Sequence, residues 1–277
     1  MASQIHESDS DQSTKTPQVS IGMPVYNGEP FIREALDSLL AQTFTDFELI
    51  ISDNASTDGT EAVCREYAAK DDRIRYVRQE ENRGAAANFQ FVLEQARFPF
   101  FMFASHDDLW DPIHIIVCIG KLQENPHLVG CSPKSIYDNR TDSRITGDSG
   151  VACRSCGGRL IEITKNMAAN CRFYGIYRTS VLKQIDLRNY DFYAGDWAWI
   201  LTVATHGCIG HVESQASFFK RRGPSHDVKR YLDTSFSSWF GKAFALRSFW
   251  WSATKDWGFE PGFTIWALLI SLKRSVK

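Results

Sequence analysis

From Val19 to Phe103 the chain alternates short apolar runs with amphipathic stretches, and that alternation limits the fold more than any other feature. The runs are VSIGMPV (19–25), FELIIS (47–52), IRYV (74–77) and FPFFMF (98–103). Each is short enough for a strand and is rich in β-branched or aromatic residues. After the first, Pro30 stands where a helix favours its first residue, and Ile32, Leu36, Leu39 and Leu40 keep helical spacing. After the second, Asp58 and Glu61 read as an N-cap and its reciprocal acid, opening a helix through Val63 and Tyr67. Gly84 to Ala96 reads as a third helix. The last run is almost wholly apolar, as a strand covered on both faces must be. The pattern predicts an α/β fold, a doubly wound and mainly parallel sheet flanked by helices.

After Pro112 the pattern loosens. A helix is expected over 113–124, loops or short strands over the Gly/Ser/Asp/Arg-rich stretch 138–159, a helix over 196–206, and then an extended ESQASFFKRR. Phe236, Trp239, Phe240, Phe244, Leu246 and Trp250 make a broad apolar helical face. Residues 1–17 are polar and acidic with no apolar segment, so they read as a disordered tail and not a secretory signal.

An apolar content of 43% in 277 residues supplies a sizeable core and excludes a disordered or collagenous chain. The net charge of −2 argues against a general nucleic-acid binder. The charge is split, however: residues 1–150 carry 13 Lys+Arg against 24 Asp+Glu, and residues 151–277 carry 18 against 9. Seven cysteines, with a lone C-x-x-C at Cys153 and Cys156, read as reduced thiols of a cytoplasmic protein. The most apolar run, Phe263 to Leu272, would rise only ~15 Å as a helix, about half a bilayer core. The expectation is a soluble or peripheral protein.

In an open parallel sheet, ligands bind beyond the carboxyl ends of the strands. Three polar segments fall there: Pro24–Asn27, Asp53–Asp58 and Ser105–Asp108. None is the G-x-G-x-x-G of a dinucleotide fold or the G-x-x-x-x-G-K-[ST] of a phosphate loop, which disfavours dehydrogenases and P-loop NTPases. Asp107 and Asp108 follow a very apolar strand, where two adjacent carboxylates are costly unless solvated or neutralised. A hard cation such as Mn²⁺ or Mg²⁺ takes such oxygens and completes its shell with phosphate and water. The competing reading is an acidic loop that caps a helix. Asp53 can accept the N3–H of uracil or thymine, a proton cytosine lacks, or it can cap its own loop.

The run VSIGMPVYNGEPFIREALDSLLAQTF…FELIISDNASTDGT…ENRGAAANF…FFMFASHDDLWDP resembles the family 2 glycosyltransferases of GT-A fold. The resemblance is strong over about 18–115 and weaker to about 226. It implies a tail (1–17), a GT-A domain (18–226) with a nucleotide-binding half (18–115) and an acceptor half (116–226), and a helical, aromatic-rich extension (227–277). It implies an inverting, metal-dependent enzyme that moves a sugar from a UDP- or dTDP-sugar to an acceptor hydroxyl in bacterial polysaccharide or glycan assembly. Pro24, Tyr26, Asn27, Asp53, Arg83 and Asp107 would bind the nucleotide, with Pro24 and Tyr26 walling the base. Asp107 and Asp108 would hold Mn²⁺ or Mg²⁺, although Ser105 replaces the first acid of the family's D-x-D and His106 fills the middle position. Asp196 aligns with the catalytic base, Gly195 replacing the usual preceding Glu, and Asp191 is the fallback. Arg221, Arg222 and His226, with Lys220, resemble a basic turn that closes over the diphosphate.

Asn88, Trp110, Trp197 and Trp199 are candidates for lining an acceptor site, against the commoner role of tryptophan as core. The aromatic extension, ending in Lys273, Arg274 and Lys277, suits peripheral contact with the inner face of a membrane and a lipid-linked glycan acceptor, or a homo-oligomer contact. Two other classes fit parts of the pattern: a sugar-nucleotide nucleotidyltransferase, which would carry a basic Gly-rich loop after its first strand, and a non-catalytic nucleotide-sugar or glycan-binding module.

Overall fold

The computed structural model describes residues 18–137, 144–145, 155–165, 171–191 and 195–220. In chain order the elements begin β1 (Val19–Val25), α1 (Glu29–Leu40), β2 (Phe47–Asp53), α2 (Thr60–Ala68), β3 (Ile74–Arg78), α3 (Ala85–Glu94) and β4 (Phe100–Phe103). They continue with β5 (Leu109–Trp110), α4 (His114–Glu124), β6 (Leu128–Tyr137), β7 (Arg144–Ile145), α5 (Cys156–Lys165), β8 (Ile176–Arg178), α6 (Thr179–Leu182), α7 (Gly195–His206) and β9 (Cys208–Lys220). Short 3-10 turns at Cys171–Tyr174 and Leu187–Tyr190 complete the described set.

One sheet holds the nine strands of the described residues in the order β3-β2-β1-β4-β8-β6-β9-β5, with β7 beside β6. The first four strands are parallel, as the strand–helix alternation requires. Beyond β4 the sheet is mixed: β8 runs antiparallel to β4 and β6, while β9 runs parallel to β6 through a long ladder with two register shifts. The chain leaves β1 towards β2 on one side and returns to β4 on the other, so a switch point opens at the carboxyl end of β1.

Alternation along β1 explains how the sheet is covered. Val19, Ile21, Met23 and Val25 face one side and pack with Ile32, Leu36 and Leu39 of α1 and Ile115 and Ile119 of α4. On the other side Phe101 and Phe103 of β4 join Val92 and Leu93 of α3 and Trp199, Ile200 and Val203 of α7. Helix α7 is buried from Ala198 through Ala204, and such a helix belongs inside a protein.

Three sequence expectations change here. The stretch 138–159 was expected as loops or short strands; the short β7 fits, but a helix, α5, begins at Cys156. Cys64, Cys118, Cys131 and Cys156 are free thiols, but Cys208 is disulfide-bonded, against the expectation of wholly reduced cysteines. The cap of α2 is not the expected pair. Asp58 accepts the N–H of Thr60, while Glu61 pairs with Arg65 and Arg78 instead of reaching back. No described helix is long and apolar enough to cross a membrane. The tail 1–17, Cys153, the basic turn at Arg221, Arg222 and His226, and the extension 227–277 lie outside the described residues.

Candidate active site

Two loops meet at the switch point and are bonded residue by residue. The N–H of Asn27 donates to Ser56 Oγ (2.9 Å), and Asn27 Oδ1 accepts the N–H of Thr57 (2.8 Å). The N–H of Gly28 donates to Thr60 Oγ1 (2.8 Å). The helices that follow then cap each other: Glu29 N–H donates to Asp58 Oδ2 (3.2 Å), and Gly59 N–H donates to Glu29 Oε2 (2.9 Å). Partial burial opposes ionisation of Asp58, yet the hydrogen bonds from Thr60 and Glu29 hold its carboxyl below the usual range. A helix N-terminus is a ready anion site, but in α1 and α2 the chain's own carboxylates occupy it.

Asn27 (φ 51°) and Ala55 (φ 60°) are the non-glycine residues of positive φ among the described residues, one in each loop. Asparagine tolerates this region; alanine pays about 1–2 kcal/mol there. Backbone strain concentrates where a binding surface must be held in shape.

Asp53, at the end of β2, is fully buried. Oδ1 accepts the N–H of Ser56, and Oδ2 accepts both the hydroxyl of Tyr76 and Nη1 of Arg78, each at 2.8 Å. The loop-capping reading of Asp53 is therefore realised. A carboxylate offers about four acceptor positions, and three are committed inside the protein. Burial, and then the hydrogen bond to Asp53, push the Tyr76 phenol well above its usual range, so it remains a donor. Neither Tyr76 nor Arg78 belongs to a motif. Their signal is register, which pairs Asp53 with Arg78 across β2 and β3.

Pro24 is buried in β1 opposite Ser52, and Tyr26, 44% exposed, stands at the mouth. Arg83 is held by its backbone, whose N–H donates to Asn54 Oδ1 (3.0 Å), while its 62% exposed side chain makes a long ion pair with Glu81 (4.0 Å). Asn54 ties the same segment through Nδ2, which donates to Asn82 Oδ1 and the Gly84 carbonyl.

Asp107 and Asp108 lie in the turn between β4 and β5, almost completely buried. Ser105 donates its hydroxyl to Asp107 Oδ1, so the residue in place of the missing acid orients the acid that remains. His106 packs against the β1 loop: a Cβ on Gly28 would lie 2.7 Å from its ring carbon Cδ2. In the turn that follows, Asp111 Oδ1 accepts the N–H of Ile113, the residue that precedes the first turn of α4. The donor set, two carboxylates on one turn, suits a hard divalent cation that draws its other ligands from phosphate and water. No group of three or more His, Cys, Asp and Glu side chains gathers for a metal among the described residues.

On the other half of the sheet, Asp196 is exposed in the first turn of α7. Gly195 has a steric cause: a Cβ there would collide with the carbonyl oxygen of Tyr190, so the family's glutamate has no room on this backbone. Tyr190 also fixes the helix lower down, its hydroxyl bonding Thr202 Oγ1 at 2.8 Å. Asp191 sits elsewhere, its Oδ2 3.9 Å from the Cβ position of Gly84 at the start of α3.

The four candidates for an acceptor lining are buried or partly buried. Asn88 is buried, and its amide is spent on Ser52, accepting from Oγ (2.6 Å) and donating to the carbonyl (2.9 Å). Trp110 and Trp199 are core residues, Trp199 packed edge-on against Phe103, Phe173 and Tyr177. Trp197 is partly buried against the same core.

Residues 20–186 match the model of the family described as Glycosyl transferase family 2. The chain is 34% identical over 223 residues to the putative glycosyltransferase EpsE of Bacillus subtilis, covering 76% of this chain and 78% of that protein. It is 37% identical over 145 residues to an uncharacterized glycosyltransferase of Rickettsia typhi, covering 49% of this chain but 44% of the relative; like other Rickettsia matches, that protein is spanned for less than half its length. Among solved structures, S. aureus TarS in complex with UDP-GlcNAc superposes with a TM-score of 0.68 at 21% identity, covering 91% of this chain and 70% of that one. A mannosyltransferase from Pyrobaculum calidifontis in complex with GDP-Man and Mn²⁺ gives 0.60 at 18% identity, covering 92% and 73%. These likenesses share the fold, the GT-A arrangement that the sequence motifs implied. By its family match and the extent of its likeness to EpsE, the chain belongs to glycosyl transferase family 2.

Proposed function

We propose that the chain is an inverting, metal-dependent glycosyltransferase that moves a sugar from a UDP- or dTDP-sugar to a hydroxyl of a glycan or lipid-linked glycan in bacterial polysaccharide assembly. The observation that carries this reading is the turn after β4. It packs His106 against Gly28 of the β1 loop and carries two adjacent, almost completely buried carboxylates, Asp107 and Asp108, directly after it. TarS holding UDP-GlcNAc and the mannosyltransferase holding GDP-Man and Mn²⁺ support a nucleotide-sugar donor and a divalent ion on this fold.

In this reading the base lies between Pro24 and Tyr26, over a floor formed by Asn27 and the loop that Asp53 anchors, with Arg83 at its rim. Asp107 and Asp108 would hold Mn²⁺ or Mg²⁺, which would supply positive charge to offset that of the diphosphate. Arg221, Arg222 and His226, outside the described residues, meet the same phosphates as the leaving group gains charge. Asp196 takes the proton of the acceptor hydroxyl. That oxygen attacks the anomeric carbon, and the bond to the diphosphate oxygen breaks with its electron pair on the leaving nucleotide. One in-line displacement inverts the centre without a covalent enzyme intermediate. The extension 227–277 is proposed to reach the inner face of the membrane, where a lipid-linked acceptor resides, with the catalytic domain in the cytoplasm.

The test is a panel of UDP-, dTDP- and GDP-sugars with Mn²⁺ or Mg²⁺ and lipid-linked or free glycan acceptors, reading released nucleoside diphosphate. Release is expected from a UDP- or dTDP-sugar. Asp196→Asn should lower turnover by about 10²–10⁴-fold at unchanged UDP affinity. Full turnover in that variant would remove Asp196 from the mechanism, and pyrophosphate as the product would instead favour a nucleotidyltransferase.

A further inference from the structure

Arg78 lies outside every motif, at the last position of the edge strand β3, yet its guanidinium is engaged along three directions. Nη1 donates to Asp53 Oδ2 (2.8 Å), Nη2 donates to the carbonyl of Ser56 (2.9 Å), and Nε lies 3.3 Å from Glu61 Oε2. The first two acceptors bracket Ala55, the residue whose left-handed backbone the loop must maintain. Ser56 in turn accepts the N–H of Asn27, and Asn27 accepts the N–H of Thr57. A continuous bonded path thus runs from Arg78 through the β2 loop to Asn27, next to exposed Tyr26.

The planar fork of an arginine can hold a carboxylate and a carbonyl three residues apart in one fixed geometry; the single ammonium of a lysine cannot serve both in the same way. Asp53, buried without access to solvent, supplies the charge that anchors the fork. Its other oxygen takes Ser56 N–H, so the carboxylate and Arg78 grip opposite ends of the same peptide segment.

We propose that Arg78 is a positioning residue for the donor nucleotide: it sets the 53–57 loop and, through Ser56 and Asn27, the β1 loop in the shape that receives a nucleoside diphosphate. The inference rests on the nucleotide-sugar reading above, and Arg78 acts through Asp53 and Ser56 without touching the ligand.

The experiment is calorimetric titration of UDP into wild type, Arg78→Gln, Arg78→Lys and Glu61→Gln, with the thermal midpoint recorded for each. Arg78→Gln should weaken UDP binding by about tenfold, the scale of one lost charged hydrogen bond. Arg78→Lys should recover part of that loss, and Glu61→Gln, which removes only the third contact, should bind like wild type. Unchanged UDP affinity in folded Arg78→Gln would overturn the proposal. So would equal weakening in all three variants, since that would mark a general loss of packing. Should Arg78→Gln fail to fold, Arg78→Lys decides: UDP affinity equal to wild type would overturn the proposal. Wild type binding none of UDP, dTDP and GDP would sink the nucleotide reading itself and this inference with it.

Discussion

The two halves of the sheet are held by different means. On the parallel side, the loops after β1 and β2 are joined by reciprocal hydrogen bonds, and two left-handed residues are kept in place by them. On the mixed side, Asp196 rides on α7, a helix placed by burial against Phe103, Phe173 and Tyr177 and by the steric post of Tyr190. Polar bonds fix a loop to a fraction of an ångström, as recognition of a nucleotide demands. Apolar packing positions α7 while leaving Asp196 exposed in its first turn. The difference suits the transferase proposed above, with the donor on the bonded loops and the base on the packed helix.

That contrast can be broken from either side. The largest expected effect is on the packed half: Trp199→Ala should cost about 3–5 kcal/mol of stability by opening a cavity, while UDP affinity of the folded protein stays near wild type. Chemical denaturation and UDP titration of the same sample check both parts. A large loss of UDP affinity would mean that the two halves are energetically coupled.

His114, the first residue of α4, tests the boundary between them. It is fully buried with no hydrogen-bond partner at either ring nitrogen, and burial pushes its pKa down to about 3. Below its ordinary value near 6.5 the unfolded chain takes up a proton that the folded chain refuses until about pH 3. Stability contributed by neutral His114 is therefore full above pH ~6.5 and falls as pH drops towards 3, by about 2 kcal/mol at pH 5. Denaturation at pH 7 and pH 5 should show a smaller acid loss in His114→Leu than in wild type. Equal losses would show that His114 titrates normally.

The smallest effect falls on the polar half. Ala55→Gly relieves the left-handed alanine and should raise stability by about 1 kcal/mol, yet loosen the loop and weaken UDP binding. Stabilisation together with tighter UDP binding would contradict the view that strain here serves the site.

How much of this was legible in the sequence also differs between the halves. The apolar runs at 19–25 and 98–103 and the polar tetrads behind them announced the strands and the switch point, because burial on both faces leaves little compositional freedom. The alternative use of Asp53 as a loop cap was visible, but Arg78 and Tyr76 were not, since they reach it only through the register of β3 against β2. The collision that demands Gly195 depends on the path of Tyr190, which no local spacing encodes. Helix α5 was hidden by Gly157 and Gly158, poor helix formers that place the helix among loops by composition alone. Asn88, a candidate by chemistry, is scaffold by burial, and Trp199 takes the core role commoner for tryptophan.

The central claim is that the turn after β4 binds a divalent cation together with the donor diphosphate. Its most direct test is UDP titration with and without Mn²⁺, in wild type and in Asp107→Ala. The account predicts that Mn²⁺ strengthens UDP binding to wild type at least about tenfold and that Asp107→Ala abolishes the enhancement. Mn²⁺-enhanced UDP binding that survives intact in a folded Asp107→Ala protein would contradict it.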